Sequence, residues 1–162
     1  MKTKYFILLL LIPLLYSCFI KLPDEELTMT RTPYNGKEIR LDGCYFEKEP
    51  GYEKYGNYLF FYSNGLMLYI GDTININTIS QFSGGIKNMT NYKQQWHIFQ
   101  IENKTINIQG WTEVVGTFSG YLAVHNEIYT ILNDTTVSTE DSRIYYFKKF
   151  SPKPDSTNVF IK

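Results

Sequence analysis

Short runs of apolar and aromatic residues, separated by turn-forming residues, follow one another along the chain from residue 41. Runs of this length, bounded by Gly, Pro, Asn, Asp or Ser, are typical of β-strands. Because most of these runs are joined by short turns, we expect neighbouring strands to pair antiparallel, as a meander. The pattern predicts eight strands, at residues 41–47, 58–62, 66–70, 95–101, 105–109, 115–124, 127–132 and 143–150.

Three connections between the predicted strands carry structural information. Ser63-Asn64-Gly65 separates the second and third strands, and Asn-Gly predicts a hairpin with a type I′ turn because both residues tolerate positive φ. His125-Asn126 is expected to form a turn between the sixth and seventh strands. A long irregular stretch at 71–94 follows the third strand, and a loop of this length indicates a lid or a binding loop.

Eight strands is the number at which a meander closes into a small barrel, filled by side chains or able to hold one small ligand. Composition favours the same class, because the 14 Tyr and 11 Phe residues support strands while Ala, the strongest helix former, occurs once, as Ala123. We therefore predict an all-β, eight-stranded antiparallel up-and-down barrel over residues 39–150, followed by an irregular tail at 151–162.

The N-terminus has the layout of a secretory signal peptide, predicted at residues 1–17. A short basic start precedes an apolar run from Phe6 to Leu15, which is too short to span a bilayer because a transmembrane helix needs about 20 residues. The sequence that ends this run, Leu15-Tyr16-Ser17-Cys18, resembles the lipobox of bacterial lipoproteins. The resemblance implies diacylglycerol on the Cys18 sulfur, a further acyl chain on its amine, and a flexible tether at 18–38. The alternative is a signal peptide cut elsewhere, with Cys18 an ordinary residue.

Charge and cysteine content limit the partners. Without residues 1–17, 14 basic residues remain against 16 acidic ones, and no basic patch emerges, so nucleic acid is not an expected partner. Cys44 would be the one cysteine besides Cys18, and we expect it to pack as a small buried hydrophobic residue.

No motif in the sequence indicates an enzyme. The chain has no Gly-rich phosphate loop, no nucleophile elbow and no paired metal-ligand spacing. His97 and His125 occur singly, and Glu102, Glu113 and Glu127 are expected to be solvated charges near turns. The sequence therefore predicts no catalytic residue, no metal site and no cofactor.

Aromatic residues are the candidates for ligand binding. Tyr58, Phe60 and Tyr62 share one face of the second strand, and Trp96 and Trp111 lie near the ends of the neighbouring hairpin. In an open barrel these rings would line an apolar pocket that also offers hydroxyl groups. The alternative is that they fill a closed interior.

Three segments resemble the lipocalin-like (calycin-type) bacterial lipoproteins: Gly43-Cys44-Tyr45, the hairpin at 58–70, and the last strand from Arg143. Lipocalins carry Gly-x-Trp on the first strand, with an arginine stacked over the tryptophan. The resemblance implies that Tyr45 replaces this tryptophan and that Arg143 lies over its ring.

These observations predict a membrane-anchored envelope lipoprotein, in the outer membrane of a Gram-negative bacterium, whose barrel binds a small apolar or amphipathic molecule beneath the 71–94 loop. The alternative is a non-catalytic interaction module with a filled barrel, which docks an envelope protein or a glycan through its rim and the same loop. The pattern does not separate the two, because inward and outward rings look alike until the register is known.

Overall fold

The computed structural model describes residues 22–47, 56–71, 90–115 and 120–162. Cys18, the predicted signal peptide and residues 72–89 of the 71–94 loop lie outside the described residues, so lipidation and gating by that loop stay predictions. Within the described ranges, no helix has the length and apolar character needed to cross a membrane.

The described chain forms eight antiparallel strands, and pairing of the first with the last closes the sheet into a barrel. The strands are β1 Gly43–Glu47, β2 Tyr58–Phe61, β3 Leu66–Ile70, β4 Trp96–Glu102, β5 Thr105–Val115, β6 Gly120–Asn133, β7 Thr136–Thr139 and β8 Ile144–Lys149. A short 3-10 helix, Lys93–Gln95, precedes β4. The predicted all-β, eight-stranded up-and-down barrel is confirmed, and its closure removes the edges that would otherwise pair with other chains.

Strand boundaries differ from the prediction in the second half of the barrel. The predicted turn at His125-Asn126 is wrong. Both residues lie inside β6, where they pair with Gly110 and Gln109 of β5. Gln109 Nε2 donates a hydrogen bond of 3.0 Å to Asn126 Oδ1, so the polar asparagine is satisfied within the sheet. The predicted sixth and seventh strands therefore form one strand, and the seventh strand lies at Thr136–Thr139 instead.

The hairpin between β2 and β3 is confirmed, but its turn is not type I′. Of residues 63–65, Gly65 alone has positive φ, at 80°. A Cβ at Gly65 would collide with the carbonyl oxygen of Thr32, so the position demands glycine on both counts. Positive φ at both central residues occurs instead between β4 and β5, at Asn103 (49°) and Lys104 (67°), as a two-residue type I′ turn requires.

Alternate residues of the strands face inward and build one core. Its rings pack edge to face, with the Phe61 centroid 5.0 Å from that of Phe99 and 5.7 Å from that of Tyr45. Because this core draws on all eight strands, it is the interior of the barrel: Tyr45, Leu59, Phe61, Met67, Phe99, Ile106, Ile108, Tyr129, Ile131, Val137 and Tyr145. Ile106 and Ile108 point inward from β5, and side chains fill this part of the interior.

A second cluster, here called the outer cluster, covers the outside of β1 to β5. The strand residues of this cluster alternate along each strand with the residues of the interior core. Residues from both ends of the described chain pack against the cluster: Leu27, Met29, Phe150, Phe160 and Ile161. Gln109 Oε1 accepts hydrogen bonds of 2.7 Å from the backbone N–H groups of Thr28 and Met29. The segment predicted as a tether therefore contacts the barrel wall over part of its described length.

One end of the barrel is closed by the residues that precede β1. Tyr45 Oη donates a hydrogen bond of 2.6 Å to the Asp134 carbonyl and accepts one of 2.8 Å from Arg40 N. The Arg40 guanidinium lies 4.3 Å from the centroid of the Phe147 ring, which contacts the Tyr45 ring. The predicted stacking of Arg143 on Tyr45 is wrong, because Arg143 precedes β8 and lies at the opposite end of the barrel.

Candidate functional site

At the other end of the barrel, the described residues line a cavity of about 480 Å³, here called the mouth. The mouth lies where β3 and β5 end and where β4, β6 and β8 begin. Aromatic and polar side chains make up most of its wall, among them Tyr69, His97, Trp111, Glu127, Tyr129 and Tyr145. Its character therefore differs from the apolar core beneath it.

β6 contributes a row of polar side chains to the mouth. His125, Glu127 and Tyr129 are two residues apart, so strand alternation places them on the same face as the inward-facing Ile131. Tyr129 Oη donates a hydrogen bond of 2.6 Å to one oxygen of Glu127, and His125 Nε2 lies 2.8 Å from the other. Burial opposes ionisation of Glu127, but these hydrogen bonds outweigh it and lower the pKa of the carboxyl, so Glu127 carries a negative charge at neutral pH.

His97 reaches the mouth from β4 and is only 7% exposed. A Cβ on Gly110 of the neighbouring strand would lie 2.6 Å from His97 Nε2, so glycine makes room for the ring. His97 Nδ1 is 3.2 Å from the Gln95 carbonyl; since a carbonyl only accepts, Nδ1 carries the hydrogen and Nε2 is an acceptor. Burial lowers the pKa of His97 to about 4, so the ring is neutral at neutral pH.

Acidic neighbours hold Arg143 at the rim of the mouth. Arg143 Nε donates a hydrogen bond of 2.8 Å to Asp141, and Nη1 lies 3.9 Å from Glu47 Oε2. Asn57 Nδ2 donates to the same Glu47 oxygen over 2.7 Å. Two carboxylates therefore balance this one guanidinium, which weakens its attraction for an anionic ligand.

Aromatic rings form the floor of the mouth, next to the filled core. Tyr129 and Tyr145 stack with centroids 5.8 Å apart and planes inclined by 21°, and Tyr69 meets His97 edge-on at 6.4 Å. Burial raises the pKa of both Tyr129 and Tyr145, so their hydroxyl groups stay protonated. An apolar floor beneath a few polar groups is the usual composition of a small-molecule pocket.

The five aromatic residues predicted to bind a ligand lie together, but on the outside of the barrel. They belong to the outer cluster and are at most 8% exposed: Tyr58, Phe60, Tyr62, Trp96 and Trp111. Residues after β8 cover two of them, since Phe150 packs against Phe60 and Tyr62 Oη donates to the Pro154 carbonyl over 2.9 Å. Trp111 also borders the mouth, whereas the other four do not line it.

Cys44 belongs to the outer cluster as well. Its thiol is free and fully buried, and burial raises its pKa to about 12. A thiol in this setting is unreactive, and the prediction that Cys44 packs as a small hydrophobic residue is confirmed.

Sequence reasoning missed the polar residues of the mouth. On β6 every second residue from His125 through Glu127 to Ile131 faces inward. The predicted turn at His125-Asn126 hides this alternation, because it divides the strand in two. His97 and Arg143 carry no local signal, because the register of the closed sheet brings them to the mouth. Among the residues described, no three or more His, Cys, Asp or Glu side chains are grouped so that they could hold a metal ion.

Comparison with known proteins supplies no relative for this arrangement, since no family model, no curated protein and no solved structure matches the chain.

Proposed function

We propose that this chain is a membrane-anchored envelope lipoprotein whose barrel binds a small amphipathic molecule in the mouth. The observation that carries the proposal is the mouth itself, since about 480 Å³ falls in the range of small-molecule pockets. Its aromatic floor would hold the apolar part of the ligand, and Glu127 and His97 would hold the polar part. The filled core around Phe61 and Phe99 limits the ligand to a small molecule.

Anchoring rests on the lipobox-like sequence that ends at Cys18. The chain contacts the barrel at Asp24, whose carboxylate accepts a hydrogen bond of 3.0 Å from Leu122 N near the beginning of β6. The six residue steps from Cys18 to Asp24 span at most about 22 Å. Lipid on Cys18 would therefore keep the mouth close to the outer membrane, where amphipathic molecules are concentrated.

Native mass spectrometry on the mature protein in lipid nanodiscs, isolated from its own envelope, tests ligand binding. We expect an added mass that is lost in Thr112→Trp, because Thr112 borders the mouth and a large ring there would fill it. Thr130→Trp is the matched control, since Thr130 is exposed and alternates with the inward Tyr129 and Ile131. No added mass in repeated preparations, or equal retention by both variants, would count against a ligand in the mouth.

Metabolic labelling with an alkyne-bearing fatty acid tests the anchor. The wild-type chain should incorporate the label and enter the membrane fraction, and Cys18→Ser should do neither. Cys44→Ser serves as the control, because Cys44 is buried in the outer cluster and should not affect labelling. Labelling of the Cys18→Ser protein would refute attachment at this residue.

A second candidate function, docking of an envelope protein, is favoured by the outside of β6 and β8. Exposed apolar side chains lie there, each between 39% and 52% exposed: Ile128, Leu132, Ile144 and Tyr146. An interaction module would lose cross-linking to its partner in Tyr146→Lys and keep it in Thr112→Trp. A ligand carrier would lose its ligand in Thr112→Trp and keep it in Tyr146→Lys.

A further inference from the structure

We infer that the ligand of the mouth is an amphipathic organic amine, whose protonated N–H groups bind His97 Nε2, Gln95 Oε1 and the Glu127 carboxylate. This inference rests on the proposed function and adds the chemical class of the ligand to it. The free polar atoms of the mouth, its charge and its rings each point to a cation that donates hydrogen bonds.

Two residues that border the mouth, Gln95 and His97, each carry an acceptor without a hydrogen-bond partner among the described residues. Gln95 Oε1 is buried and has no hydrogen-bond partner among the described residues. His97 Nε2 is an acceptor because Nδ1 carries the hydrogen, and it makes no hydrogen bond to another described residue. A buried acceptor without a donor costs free energy, which a ligand with N–H groups would remove.

Several donors of the mouth are already engaged by the protein. Tyr129 Oη donates to Glu127, Tyr69 Oη donates to Asn57 Oδ1 over 2.7 Å, and Arg143 Nε donates to Asp141. A ligand whose polar end only accepts hydrogen bonds, such as a carboxylate, would have to compete for these donors. An ammonium group does not need these donors, because its own N–H groups donate the hydrogen bonds.

The charge around the mouth also favours a cationic ligand. Glu113 and Glu127 line it, while Glu47 and Asp141 balance Arg143 at its rim. Among the described residues of the mouth and its rim, four carboxylates thus stand against one guanidinium. A cationic ligand is attracted by this excess of negative charge and an anionic ligand is repelled.

The aromatic rings provide further support for a cation. Tyr69, Tyr129 and Tyr145 border the mouth, and ring faces attract ammonium groups when water is excluded. The same rings accommodate a short hydrocarbon chain. Because His97 and Gln95 need N–H donors, a primary amine should bind more tightly than a quaternary ammonium, which has none.

Isothermal titration at pH 7 tests the inference with four probes of equal chain length: hexylamine, hexanoate, hexanol and hexyltrimethylammonium. The mature protein is held in nanodiscs, and titration into empty nanodiscs is subtracted. We expect hexylamine to bind at least tenfold more tightly than hexanoate and hexanol, with hexyltrimethylammonium in between. Glu127→Gln should weaken hexylamine at least fivefold and leave hexanol unchanged.

Glu102→Gln is the matched control for this variant, because Glu102 is an exposed acid at the closed end of the barrel. Hexanoate or hexanol binding as tightly as hexylamine would overturn the amine and leave the proposed pocket standing. Failure of all four probes, together with no added mass in native spectra, would overturn the pocket as well. The four probes are compared on the wild-type protein, so this test of the ligand class remains valid even if a variant does not fold.

Discussion

At the scale of single residues, His97 affects the stability of the fold and also belongs to the proposed binding site. Its ring is buried against Gly110 and kept neutral, with one nitrogen bonded to the Gln95 carbonyl and the other free. A histidine in this position contributes less apolar packing than a phenylalanine would. Such a residue is understandable where a ligand supplies the missing donor.

The burial of His97 makes stability depend on pH. The pKa of His97 is about 4 in the folded protein against 6.5 for the ordinary side chain, so the unfolded state binds an extra proton between these values. The free energy of unfolding should therefore decrease as the pH falls from 6.5, by up to about 3 kcal/mol at pH 4. Urea denaturation at pH 7, 6 and 5 measures this slope.

His97→Gln is the control for this prediction, because its side chain does not titrate, and the slope between pH 7 and 5 should flatten. The range from pH 7 to pH 5 also avoids the titration of Glu127. The pKa of its carboxyl is lowered from an ordinary value of 4.5, so its contribution to the free energy of unfolding is lost only at lower pH. Equal slopes in the wild type and in His97→Gln would show that His97 is not buried in its neutral form.

Gly110→Ala should destabilise the protein by about 1–3 kcal/mol, because the new methyl group would collide with the His97 ring. Gly120→Ala is the matched control in the next strand, since the nearest atom to its Cβ would be the Val114 carbonyl oxygen at an ordinary 3.4 Å. Thermal unfolding of both variants gives the comparison. In a His97→Ala background the Gly110→Ala cost should shrink, and an unchanged cost would place the collision elsewhere.

At the scale of elements, β1 to β5, β8 and the β2–β3 hairpin could be predicted because alternation and turn residues are local properties of the chain. β6 could not, since Asn126 favours turns by itself and its support in the strand comes from Gln109 on β5. The side of the sheet on which the candidate aromatic residues lie could not be predicted, for another reason. Tyr58 and Phe60 alternate with the equally apolar Leu59 and Phe61, so polarity does not tell which pair faces inward.

The segment that covers the outer cluster could not be predicted from the sequence pattern either. Residues 150–162, here called the C-terminal strap, contain no helix or strand, yet Phe160 and Ile161 pack on the cluster. Lys153 Nζ donates hydrogen bonds of 2.8 and 2.6 Å to the carbonyls of Leu41 and Phe61. Side-chain contacts from single residues thus hold the strap in place, and a periodic pattern does not reveal them.

Tyr62→Phe should loosen the C-terminal strap. The variant removes the buried hydroxyl that donates to the Pro154 carbonyl over 2.9 Å, at a cost of about 1 kcal/mol. Hydrogen exchange should accelerate about fivefold at the amides of Phe160 and Ile161 and remain unchanged in β4. Tyr146→Phe, at an exposed tyrosine, is the control. Uniform acceleration across the barrel would mean that the strap does not open as a unit.

At the scale of the whole molecule, the N-terminal segment and the mouth lie at the same end of the barrel. Glu25 N donates a hydrogen bond of 2.8 Å to the Leu122 carbonyl, and the Glu25 carbonyl accepts one of 2.8 Å from Trp111 Nε1. Lys93 pairs with Asp24 over 3.2 Å and also lies 4.3 Å from the Trp111 ring centroid. These contacts direct the chain toward the mouth, so an anchor at Cys18 would set how far the mouth stands from the membrane.

Lengthening the chain between Lys21 and Leu22 by 20 Gly/Ser residues should therefore slow ligand uptake from a membrane. A flexible insert of this length adds roughly 25 Å of mean reach, which lowers the fraction of time the mouth spends near the bilayer. With the protein anchored in vesicles that contain a dansyl-labelled hexylamine, fluorescence transfer from Trp111 should appear several-fold more slowly than in the wild type. The same insert placed after Lys162 should have no effect, and neither insert should change the affinity for unlabelled hexylamine. Equal uptake rates with and without the N-terminal insert would mean that the ligand enters from the aqueous side, whatever the distance to the membrane.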